Sequence, residues 1–410
     1  MIPTENDEIT VENNKLNTNL HATKMWTFIW LWAGFILVAL NLRLIFASLG
    51  PLLHNLELGV STTLLVTTLP VALLGIFSLA GVHLRRRFGE ERALFLALTL
   101  LTLGCGVRWL GEGALILGTV IGSTGIAVMN VIMPALARKR FEPQHIGMVM
   151  GIYALMLGVG AVLGAASSFP LFQWLGADTE AAYRSLGLWT IPALLALFIW
   201  IPQLEHKIDP HTQTCASSAV SINVYRSITA WSITLFFGLQ ALNLYVFLPW
   251  MPTILMDRGI SQASASFIFS LSQISLMLGS FVTPLLAARK PDQRLWIIMT
   301  VLTCLAGTLG LAYAPSNSVI AWALLLGFGQ GAGPSLGAFL FVAKASNIET
   351  ATRISAMAQT LGYLIAAAGP LLVGAIYHLT ETWNVPILIL VAILVVELIV
   401  SLPAGRNIKV

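Results

Sequence analysis

Twelve long apolar runs joined by short polar connectors make up most of the chain, at approximately 26–48, 62–83, 93–110, 114–137, 147–169, 186–202, 229–255, 263–287, 295–313, 318–341, 354–377 and 385–402. A helix needs about 20 predominantly apolar residues to cross the hydrocarbon of a bilayer. Each run therefore predicts one membrane span. Glycine and other small residues recur inside the runs, as in 158–168 and 327–338. Such residues let membrane helices approach closely.

The first 25 residues are polar, acidic and rich in Asn, and predict a disordered tail. The first apolar run comes too late and is too long for a cleaved signal peptide. The longest polar connector, 203–227, follows the sixth run. It divides the chain into an N-terminal bundle (26–202) and a C-terminal bundle (228–402), with a tail at 403–410. Shifting by 205 residues (344 − 139) places Lys139 on Lys344, Gly122 on Gly327 and Gly164 on Gly369. With the central linker, these matches predict an all-α protein of twelve transmembrane helices in two pseudo-symmetric six-helix bundles.

Charge adds an orientation. Lys15 and Lys24 precede the first run. Arg85, Arg86, Arg87 and Arg92 follow the second, and Arg138, Lys139 and Arg140 the fourth. The same side continues with Lys207, Arg226, Arg289, Lys290, Arg294, Lys344, Arg353, Arg406 and Lys409. The alternate connectors hold only Arg108, Arg184 and Arg258. Basic residues concentrate in short cytoplasmic loops, so both termini are expected in the cytoplasm. The net charge of +4 follows from that topology and from attraction to anionic lipid; nucleic acid is not an expected partner. Only 10% of residues are charged, against about 25% in soluble proteins. The three cysteines show no metal-binding spacing.

Several segments carry a more specific likeness: Asn41 to Leu53, Gly125 to Phe141, Ala230 to Leu255, Leu324 to Pro334 and Ser355 to Gly374. Through them the chain resembles the major facilitator superfamily over its apolar length. More narrowly, it resembles the branch of cyanate porters and nitroimidazole transporters. The resemblance implies a secondary transporter in a bacterial inner membrane. Two departures stand out. That branch usually has Pro after its Asn-Leu-Arg triplet, where this chain has Leu44. The superfamily's loop after the second span carries an Asp where this chain has Arg86. Arg86, Arg87 and Glu90 are then the gate candidates, with Glu90 and Glu91 as partners for the arginines.

Arg43 lies deep in the first run, past its midpoint. A charge there costs about 3 kcal/mol or more, so it faces a wet cavity or a partner. No other run places a carboxylate centrally. Glu397 lies toward one end of the last run and reads as a snorkelling or packing residue. An unpaired guanidinium suits a small anion with two acceptors. Capping of backbone carbonyls is the structural alternative. Asn41, Asn130, Gln240, Asn243, Tyr245, Gln330, Gln359 and Tyr363 are polar residues in runs expected to line the same cavity. Their amides and phenols need partners that a solute, water or a neighbouring helix supplies. Trp250, Tyr245, Phe46 and Tyr363 offer rings for stacking on a flat solute. Pro334, within a Gly-rich run, is the hinge candidate.

A membrane-embedded enzyme would need clustered acids or histidines, and the histidines here are scattered. No phosphate-binding loop is present, so ATP does not drive this chain directly. The expected protein is a carrier with no cofactor that acts as a monomer. Its expected partners are the bilayer, a small-molecule solute and a coupling proton or ion that the sequence does not identify. The solute is a small anion such as cyanate near Arg43, or alternatively a neutral nitroimidazole-like or other small aromatic compound.

Overall fold

The computed structural model describes residues 28–45, 47–49, 52, 55–58, 60–205 and 223–410. The expected N-terminal tail, Phe46 and most of the linker (206–222) lie outside the described residues. Among the described residues thirteen α-helices follow in order. They are α1 (Phe28–Ile45), α2 (Val60–Phe88), α3 (Glu90–Val107), α4 (Glu112–Arg140), α5 (Ile146–Trp174), α6 (Thr179–Leu188) and α7 (Thr190–Trp200). The second half holds α8 (Ile228–Asp257), α9 (Gln262–Ala287), α10 (Arg294–Tyr313), α11 (Val319–Ala343), α12 (Ile348–Thr380) and α13 (Asn384–Val400).

Eleven segments among the described residues are long and apolar enough to cross a membrane; α6 and α7 together form one of them. The last, α13, is shorter at 17 residues. Several helices outrun the apolar stretch that announces them. α12 starts at Ile348, six residues before its apolar run, because the Asn347 side chain caps it by accepting from the Thr350 amide at 2.8 Å. The extension is polar, and hydropathy cannot see it.

Packing repeats between the halves. α4 lies against α2 and α3, as α11 lies against α9 and α10. Across the seam, α2 meets α12 and α5 meets α9. Glycines make the closest approaches. A Cβ at Gly160 would stand 2.1 Å from the Leu40 carbonyl oxygen, and one at Gly331 only 1.9 Å from that of Leu276. Backbone cannot retreat as a side-chain tip does, so Gly331→Ala is expected to lower stability by about 2 kcal/mol. A melting curve of the detergent-purified variant checks this, and a melting temperature equal to wild type would contradict it.

Arg108 and Arg258, read from sequence as loop cations, are both turned inward. Arg108 is 1% exposed and donates to the Ile45 carbonyl at 3.3 Å and the Thr119 hydroxyl at 3.1 Å. Arg258 caps the end of α10 through the carbonyls of Leu311 and Ala314. The segment after α13 folds back on the bundle rather than trailing away. The Lys344 ammonium donates to the carbonyls of Pro291, Gly405 and Arg406, and the Val410 amide donates to the Lys344 carbonyl at 2.8 Å.

Candidate functional site

Arg43 projects from α1 to the seam between the halves. Its Nη1 donates to the Tyr245 hydroxyl of α8 at 2.9 Å, and the guanidinium stands 5.8 Å from the centre of that ring. Tyr363 of α12 and Tyr153 of α5 lie within electrostatic reach of the same charge. No carboxylate pairs with Arg43 among the described residues, nor with Arg108 in the same half. Four helices, two from each half, thus contribute to the surroundings of one cation.

The polar cluster extends from there. The Tyr153 hydroxyl donates to Asn130 Oδ1 at 3.2 Å. The Asn130 carbonyl accepts from Gln359 Nε2 at 2.9 Å, joining α4 to α12 across the seam, and the same Nε2 also donates to Ser355 Oγ at 2.8 Å. Tyr363 is held edge-on against Phe237, with ring centroids 5.5 Å apart. Arg43, Asn130, Tyr245, Gln359 and Tyr363 are therefore brought near the seam. Tyr153 belongs with them and was missed, because a tyrosine in an apolar run is no anomaly.

Other candidates are placed elsewhere. Asn41 is fully buried and spends its amide on the carbonyls of Leu37 and Pro192, tying α1 to α7. Gln240 faces away from Arg43. Its Nε2 donates to Glu397 at 2.8 Å, and its Oε1 accepts from the Cys304 thiol at 3.5 Å. This also corrects the snorkelling reading of Glu397, which is 0% exposed. Gln240→Leu would strip the buried carboxyl of its donor and is expected to cost about 1–3 kcal/mol. Thermal unfolding reads that loss, and an unchanged melting temperature would show the bond to be dispensable. Gln330 donates to Asn243 at 3.2 Å, which leaves the buried Asn243 Nδ2 without a partner. Trp250 packs with Tyr377 and Trp383 rather than at the centre. α11 runs unbroken through Pro334.

At the basic end, ion pairs close the seam. Glu349, at the start of α12, accepts from three arginines. These are Arg85, Arg86 (Nη2 at 2.8 Å) and Arg353 (Nε at 2.8 Å). Arg138 adds bonds to the carbonyls of Val342 (2.6 Å) and Ser346 (3.1 Å) across the same seam. The gate expectations are thus partly corrected. Arg86 reaches across, whereas Arg87 turns outward over the Phe88 ring at 5.5 Å. Glu90 stays within its own half, bonded to Lys139 at 2.9 Å and Arg85 at 3.4 Å. The carboxylate that bridges the halves is Glu349. Its spacing of four from Arg353 was a helical signal, but it lies outside the apolar run.

Two six-helix halves, a polar cluster at their seam and ion pairs closing one end define a membrane transporter. The chain matches the model of the Major Facilitator Superfamily over residues 31–370 and 233–406, and it belongs to that family. It is 36% identical over 385 residues to the 2-nitroimidazole transporter of Escherichia coli (strain K12), covering 92% of this chain and 95% of the relative. It is 27% identical to the cyanate transport protein CynX of the same organism, covering 85% and 90%. These likenesses support the cyanate and nitroimidazole transporter branch. The Escherichia coli fucose:proton symporter FucP shares the fold, with a TM-score of 0.69 at 13% identity, over 92% of this chain and 99% of that one.

Proposed function

We propose that this protein is a secondary active transporter that carries a small anion, such as cyanate, bound at Arg43, by alternating access. The observation that carries the reading is a seam-located guanidinium with no carboxylate partner among the described residues, contacted by the Tyr245 hydroxyl from the opposite half. An anion there completes the charge balance and takes hydrogen bonds from the guanidinium and the phenols. Because the ligands come from both halves, rocking the halves about the seam exposes the site to each side in turn. Breaking the Glu349 and Arg138 contacts opens the basic face; the concentration of basic residues there supports a cytoplasmic side, and the Escherichia coli relatives support a bacterial inner membrane. The N-terminal bundle (26–202) and the C-terminal bundle (228–402) are the two units that move, joined in sequence by 203–227, and the protein acts as a monomer. Coupling to a proton or ion completes the scheme.

A second reading has its own support. The Tyr245 ring lies beside Arg43, Tyr363 and Tyr153 are within electrostatic reach of it, and the 36% identical relative is named for 2-nitroimidazole. Here the solute is a neutral small aromatic that stacks on the tyrosines. Melting the purified protein against small anions and nitroheterocycles separates the two, since a ligand of the folded state raises the melting temperature with concentration. A shift with one anion class that disappears in a well-folded Arg43→Gln variant supports the anion. A shift with neutral aromatics that survives the substitution contradicts it.

A further inference from the structure

A second polar site lies at the basic end of the seam, away from Arg43. It is a crevice of about 300 Å³ between α2, α12 and the turn Val224–Arg226 that leads into α8. Arg86, Arg353, His83 and Tyr225 form its polar side; Leu79, Val82 and Ala356 form its apolar side. Among the described residues, Arg85, Arg86, Lys139, Arg140 and Arg353 form one ion-pair lattice with Glu90, Glu91 and Glu349. Arg86 keeps half of its side chain exposed (52%) while bonded to Glu349, so part of its guanidinium faces the crevice mouth.

The surface around the crevice is that of a bilayer boundary. Ile76, Leu79, His83 and Arg86 follow one another at helical spacing along α2, so one stripe passes from apolar to cationic. Ile76 and Leu79 are 56% and 49% exposed, and Ile228, at the start of α8 just after the turn, is 74% exposed. Exposed Trp231 donates to the Tyr225 carbonyl at 2.9 Å, placing two amphipathic aromatics at the rim. Basic pockets between membrane helices, at the level of the headgroups, take anionic lipid heads.

We propose that this crevice binds a phosphate anion presented by a membrane phospholipid, with the head between Arg86 and Arg353 and an acyl chain along Ile76 and Leu79. Arg86 and Arg353 belong to opposite halves and share Glu349, so a phosphate between them bridges the seam as Glu349 does. The site exists only while the basic face is closed, and occupancy favours that state. The binding claim stands apart from the Arg43 reading; the effect on the transport cycle rests on alternating access.

Native mass spectrometry of the full chain with dioleoyl phosphatidylglycerol or dioleoyl phosphatidylcholine tests the site. About a tenfold preference for phosphatidylglycerol is expected from two facing arginines. Arg86→Gln should abolish it. His83→Gln, outside the ion-pair lattice, should weaken it severalfold while melting like wild type, and it keeps the test decisive if Arg86→Gln folds poorly. The same preference in all three proteins would assign it to general surface charge and overturn the site. In a parallel arm, inorganic phosphate is titrated in dodecyl maltoside. A melting shift with phosphate that is lost in His83→Gln, without a lipid preference, keeps the anion site but makes its ligand soluble and overturns the lipid assignment.

Discussion

Arg43→Gln is expected to weaken binding of the transported anion by about 100-fold, the loss of about 3 kcal/mol from a charge-assisted bond that glutamine cannot replace. The fold should survive. Arg43 bonds a hydroxyl rather than a carboxylate, so the substitution leaves no buried counter-charge behind. Arg43→Lys should restore part of the affinity, since the charge returns without the planar fork that grips two acceptors. Tyr245→Phe should act more mildly, through one lost hydroxyl, at about tenfold. Titration of each variant against labelled anion gives the order wild type, Tyr245→Phe, Arg43→Lys, Arg43→Gln. A Gln variant that binds like wild type would make Arg43 a scaffold residue.

The second large effect concerns the closed end. Glu349→Gln keeps the shape of the side chain but removes the charge on which Arg85, Arg86 and Arg353 converge. Glu349 is partly solvated, so the closed state should lose only about 2 kcal/mol. That still moves the equilibrium between closed and open forms of this face by about 30-fold. Spin labels at Arg87→Cys and Arg289→Cys, both exposed positions on opposite halves, would report the motion. The Glu349→Gln background should show a longer separation. An unchanged distance distribution would mean that the Arg138 bonds to Val342 and Ser346 suffice to hold the face shut.

What the sequence disclosed follows the physics of the bilayer. Apolar length and the placement of basic residues revealed the spans, because hydrocarbon tolerates little else. Arg43 stood out for the same reason: a charge in that setting is costly and needs a cause. The facing of the polar residues was much less legible. α1 and α8 carry apolar residues around their whole circumference, so no amphipathic stripe tells which side meets the cavity. Asn41 and Gln240 therefore read like Tyr245, although the structure turns them toward α7 and Glu397. Glu349 escaped notice because hydropathy stops where a helix becomes polar, at the end of the bundle where the halves lock. Tyr153 carries no unusual cost in an apolar helix; only the fold brings its hydroxyl to Asn130 and within electrostatic reach of Arg43.

The central claim is that Arg43, at the seam, holds the carried anion. Counterflow in proteoliposomes tests it most directly. Vesicles loaded with unlabelled cyanate are diluted into labelled cyanate, and transient accumulation is followed for wild type and for an Arg43→Gln protein with a normal melting curve. Saturable accumulation is expected in wild type and none in Arg43→Gln. Accumulation of the same size in both would contradict it.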